Sequence, residues 1–191
     1  METRIVINAF QLAFQYRYME DVMTLNEYVL KELADMKQTL ITALEDLPEK
    51  DLVSMEPCGH WPIAWIAMHL SSGLDMFINY ELTGKMTVEH EARMQAWPLV
   101  VPTPEDTWPS LETLLGNWNK VMDKAMENVA ALGEDGMQKV GGHLSAYGFN
   151  QPIIELIQMM VSHHHTHMRN LWCILGERRV DTKWDEPKME E

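Results

Sequence analysis

From Met19 onward, apolar side chains recur in steps of three and four: Val22, Leu25, Val29, Leu33, Met36, Leu40, Leu44 and Leu47. Such steps return to one side of a 3.6-residue helix, so they predict a helix over residues 19–47, stopped by Pro48. A second helix is predicted from Trp61-Pro62, where proline suits the first turn, to about Leu82, just before Gly84. A third covers residues 110–132, carrying Leu111, Leu114, Leu115, Trp118, Val121, Met122, Ala125, Val129 and Leu132, and closes at Gly133. The fourth starts around Asn150-Gln151-Pro152 and runs to Leu175, ending at Gly176. Strand-like alternation is almost absent.

Four long helices suggest one all-α four-helix bundle over residues 19–176. Residues 1–18 form a helical N-terminal lead-in, and residues 177–191 a charged tail that frays. Two connections are long. Residues 85–109 hold Pro98, Pro102, Pro104 and Pro109 with His90, Trp97 and Trp108, the last three candidates to line a lid. Residues 134–149 are glycine-rich, with Gly136, Gly141, Gly142 and Gly148. Loops this long in a compact domain usually serve as lids or crossover connections.

The candidate chemistry lies on the second and fourth helices. At about 100° per residue, His167 sits only about 40° around the helix from His163. Leu156, Met160, Leu171 and Ile174 share that stripe, so both imidazoles point at the core. His164 falls at the edge of the stripe and His165 nearly opposite, facing solvent. On the second helix the stripe reads Pro62, Trp65, Ile66, His69, Gly73, Met76 and Tyr80, with Gly73 leaving room one turn beyond His69. One histidine on an apolar face is ordinarily a satisfied core residue. Three of them aimed at one core from two helices need a common partner, and a divalent metal is the economical one. Three neutral imidazoles with open positions suit zinc, nickel or ferrous iron, with nitrogen–metal distances near ~2.1 Å. His60, His90 and His143 lie at or near loops and carry no such signal.

Composition narrows the partners. With 29 acidic against 15 basic residues the formal charge is −14. That field repels phosphate backbones and anionic lipid, so neither nucleic acid nor membrane is an expected partner. No leader-like segment or apolar run of membrane-spanning length is visible, which points to the cytoplasm. Cys58 and Cys173 are too few for a disulfide framework; Cys173, on the fourth helix, is expected to pack. Sixteen methionines fit an adaptable helical core. The apolar lead-in at residues 5–14 and Met- and Trp-rich surface positions suggest a homodimer. No nucleophile elbow, phosphate loop or HExxH motif occurs, so no catalytic side chain is assigned.

The stretch Pro62-Ile63-Ala64-Trp65-Ile66-Ala67-Met68-His69-Leu70 resembles the W-x-x-x-H-L helix of the DinB/YfiT-like superfamily. His163-x-x-x-His167, followed by Leu175-Gly176, resembles that family's closing helix, and the likeness spans roughly residues 19–176. The resemblance implies a four-helix bundle with an unusual crossover connection. It also implies a divalent metal held by His69, His163 and His167, and a small-molecule substrate. Family members of known activity include transferases and isomerases using low-molecular-weight thiols such as bacillithiol or mycothiol. Transfer of such a thiol to a small electrophile, or isomerisation of a thiol adduct, is therefore the implied reaction. A metal-dependent hydrolase and a non-catalytic metal- or ligand-binding bundle are the alternatives. One departure bears on the reaction: after the last histidine the family commonly has any residue, then glycine, then glutamine, whereas this chain has Met168, Arg169 and Asn170.

Overall fold

Thr24 starts the first helix. Its hydroxyl accepts from the backbone N–H of Glu27, and the Glu27 carboxylate accepts from the backbone N–H of Thr24, a reciprocal cap that satisfies two otherwise orphan donors. The helix, α1, spans Leu25–Leu44 and buries Val29, Leu33, Met36, Leu40 and Leu44, the stripe expected from the pattern. Each such side chain is worth ~1.5–3 kcal/mol on full burial. Together they approach the net stability of a whole domain, so this stripe decides how α1 docks. The computed structural model describes residues 23–45, 47–53, 61–90 and 107–177. The lead-in, Val22, Cys58, His60, Trp97 and most of the tail lie outside them.

A short helix, α2, spans Glu49–Val53 behind Pro48 and buries Leu52. The second long helix, α3, begins at Ile63–Leu74, passes through a π-helical Asp75–Tyr80 and closes with Glu81–Thr83. Gly84 ends it with a φ of 72°, a left-handed conformation that glycine adopts without a steric penalty. Nearly all of its first half is buried, which makes it the central helix.

Ser110 caps α4, Leu111–Met137, by accepting from Thr113 N–H. Continuous α-helix breaks at Gly133 (φ 66°), where the pattern ends, and one further turn follows. A 3-10 segment, His143–Tyr147, leads to α5, Ile153–Glu177.

The four long helices share one apolar core: α1 and α3 each pack on both α4 and α5. Leu25 N–H donates to Glu134 Oε1, Asn26 Nδ2 to Val129 O and Trp118 Nε1 to Lys37 O. Rising numbers on α1 meet falling numbers on α4, so the pair is antiparallel. The fold is all-α; among the described residues there is no strand, only an isolated bridge between Val140 and Pro152. None of the described helices is long and apolar enough to cross a membrane.

The end of α3 is locked to the 3-10 segment. Buried Glu81 accepts from Leu144 N–H through Oε2, and a Cβ on Gly142 would come within 2.8 Å of the Glu81 carbonyl oxygen. Only glycine fits there. Cys173 corrects the sequence reading: it is exposed, because at about 100° per residue it points about 130° away from the side of α5 shared by the buried Leu171 and Ile174.

Candidate metal centre

α3 and α5 cross so that three imidazoles converge. His163 Nε2 lies 3.0 Å from His69 Nε2 and 3.0 Å from His167 Nε2. All three ligand atoms lie within 4.8 Å of one another, an arrangement that could hold a metal ion. Gly73 makes the approach possible: a Cβ there would meet Met160 Cε at 3.2 Å and His163 Cε1 at 3.9 Å. The helical phase read from the sequence places these residues where the structure has them.

Protons cannot satisfy this cluster. An in-plane imidazole nitrogen offers either one N–H or one lone pair. His163 Nε2, with a nitrogen neighbour on each side, can therefore complete a hydrogen bond with at most one of them. A shared cation satisfies all three lone pairs at once, so the residues present fit a divalent metal.

The surroundings keep the imidazoles neutral. Burial pushes His69 down to about 3, helped by repulsion from His167 and His163, and His167 down to about 4, helped by His163. Burial also lowers His163. Trp65 stacks on His69 with ring centroids 4.5 Å apart, and Trp61 stacks on His167 at 6.4 Å. These indoles wall the cluster from water on one side. The Nδ1 atoms of His163 and His167 are buried with no protein partner, so no carboxylate stands behind either ring.

These depressed values predict how the metal-free protein responds to acid. The unfolded histidines take up protons near pH 6.5, the folded ones only toward 3 to 4. Their contribution to stability is therefore full above about 6.5 and is lost as pH falls toward the folded values. The melting temperature of metal-free protein should hold from pH 8 to 7 and fall steadily between about 6.5 and 4, before most carboxylates titrate. A flat profile down to pH 4 would contradict the buried, neutral cluster.

The neighbouring histidines divide as their phase requires, with one addition. His165 is solvent-exposed, 4.0 Å from Glu32 Oε2. His164, read as an edge residue, is buried: Trp118 of α4 stacks on it with centroids 5.8 Å apart and planes 8° from parallel. His143 is exposed beside Tyr80. His90, read as uninformative or lid-lining, is buried and bonded through Nε2 to Asp75 at 2.9 Å.

Asp75 is the functional-looking residue that the sequence pattern did not flag. Fully buried, it accepts from His90, from the backbone N–H of Thr87 and Val88, and from Asn79 Nδ2. Burial alone would raise its pKa, but bonds from His90, Asn79, Thr87 and Val88 outweigh that and hold the carboxyl below its ordinary value. Asn79 continues the network, donating to Val121 O and accepting from Asn128 Nδ2. A polar residue spaced i, i+4 from another on a buried helix was the available signal.

No curated protein sequence matches the chain. The sequence model of the DinB superfamily matches residues 32–171, a span that begins within α1 and takes in His69, His163 and His167. With well over half its length matched, the chain belongs to the DinB superfamily.

Proposed function

We propose that His69, His163 and His167 hold one divalent metal (zinc, nickel or iron) and that the protein transfers a low-molecular-weight thiol to a small electrophile. The carrying observation is the pair of 3.0 Å nitrogen–nitrogen separations at His163 Nε2, which a shared cation would satisfy together. A divalent cation held there supplies Lewis acidity that stabilises an anionic nucleophile at neutral pH. The chain's own part is to present neutral lone pairs, to exclude water with Trp61 and Trp65, and to leave the remaining approach open.

The choice of thiol over water follows from what surrounds the cluster. Among the described residues no carboxylate hydrogen-bonds any of the three rings and none is placed to take a proton from water, and the sequence has no HExxH motif. A bound metal can bring water from ~15.7 to about 7, but a thiol with an ordinary pKa of ~8.5 needs only a shift of about two units to ionise at pH 7. The smaller shift favours the thiol. In this reading the enzyme works as a homodimer in the cytoplasm, with exposed Met23 and Tyr28 on and beside α1 as apolar surface available to a second copy.

The test uses untagged protein loaded with each metal, a panel of small thiols and a fluorogenic haloalkyl electrophile. We expect thiol consumption that depends on metal and stops with chelator. Metal-dependent ester or amide hydrolysis without thiol transfer would replace this reading with a hydrolase. Metal-dependent melting with no turnover would leave a non-catalytic binding protein.

A further inference from the structure

We infer that the cavity beside the π-helical stretch of α3 is the binding site for the electrophilic substrate, and that it takes a neutral, largely apolar, ring-bearing molecule. This rests on the metal-centre reading above and adds the substrate class to it.

The cavity has a volume of about 540 Å³, within the range of small-molecule sites. Its near end is Ser72, which follows His69 by three residues and adjoins Gly73, the residue against which His163 Cε1 packs. Three residues of helix rise only ~4.5 Å, so Ser72 stands about one turn along α3 from His69. Met76 and Tyr80 form the wall beyond, and both belong to the π-helical segment.

A π-helical run is a less favourable hydrogen-bonding pattern than α-helix and recurs at functional sites. Here its cause is visible. Asp75 and Asn79, in the same segment, are fixed by hydrogen bonds from six donor–acceptor pairs, buried or partly buried, among them those from Thr87 and Val88 N–H and that to Val121 O. That network holds the widened turn in place, and Met76 and Tyr80 in the same turn are thereby set against the cavity.

The lining defines the ligand. Met86, Leu144 and Phe149 join Met76 as apolar walls, and thioethers adapt to rings of differing shape. Phe149 is itself braced edge-to-face on Phe77, at 5.0 Å. Among the described lining residues the polar groups are hydroxyls: Ser72 at the near end, and Tyr80 bonded to Tyr147 at the rim. Among the described residues no charged side chain lines the space, and the net charge of −14 disfavours an anion. A ring body with a carbonyl or hydroxyl for the phenols fits; a charged ligand does not.

The test is titration of metal-loaded, full-length protein with N-phenyl-1-naphthylamine, a neutral apolar probe whose fluorescence rises on burial. One probe per chain should bind, and a neutral aromatic electrophile should displace it while iodoacetamide, small and polar, should not. Met76→Trp fills the cavity and should weaken the probe at least tenfold with metal stoichiometry unchanged. Tyr147 is 70% exposed, so Tyr147→Ala keeps the fold and should weaken the probe about threefold or more. Equal probe binding by wild type and both variants would overturn the assignment. Loss of metal in wild type would instead sink the metal-centre reading, which the probe titration does not measure.

Discussion

His163→Ala is expected to lower metal affinity about 100-fold or more, while His165→Ala leaves it unchanged. His163 Nε2 is the middle atom of the cluster, 3.0 Å from each partner nitrogen. Its removal leaves His69 and His167 as two donors with no third to close the set. Changes merely behind a ligand typically cost 10- to 100-fold, so loss of the central ligand should cost at least as much. His167→Ala should act similarly. His165 lies about 160° around the helix from His163, and its ring is mostly in water. Competitive chelator titration of the untagged variants reads both effects. Metal loss in His165→Ala with retention in His163→Ala would mean that the cluster binds in a different helical phase.

Asp75→Ala is expected to destabilise the fold by about 3–5 kcal/mol, the range for stripping one partner from a buried charged network. The carboxylate is fully buried and is the shared acceptor for His90, Asn79 and the backbone N–H of Thr87 and Val88. Alanine leaves all four donors without their shared acceptor. At about 2–4 °C per kcal/mol for a chain of this size, the melting temperature should drop by about 10 °C. Exposed pairs such as Lys31 with Asp35 give little by comparison, since solvent screens them. Urea unfolding measures the difference. A loss below about 1 kcal/mol would show that the network is ornamental to the fold and would also remove the reason given for the π-helical turn.

The helices and the three converging histidines were legible in the sequence because both depend on local periodicity. Val29 to Leu44 repeat at helical spacing, Pro48, Gly84 and Gly133 stop the runs, and the phase of His163 and His167 fixes their direction. What the sequence hid depends on contacts between elements. Nothing in the order Asp75-Met76-Phe77-Ile78-Asn79-Tyr80 distinguishes a π-helical from an α-helical turn, since the difference lies in which carbonyl each N–H finds. Asp75 meets His90 fifteen residues on, and Asn79 meets Val121 forty-two residues on. His164 stood at the edge of its stripe, where burial is decided by the neighbouring helix; Trp118 covers it. The match to the DinB superfamily agrees with the histidine motifs but says nothing of the acidic network on the far side of α3.

The most direct test of the central claim is anomalous scattering from crystals of untagged protein grown with zinc, nickel or iron, measured at the absorption edge of the metal added. One peak per chain, lying among the Nε2 atoms of His69, His163 and His167, is the predicted result. A peak on His164, His165 or the acidic surface, with none among those three nitrogens, would contradict it.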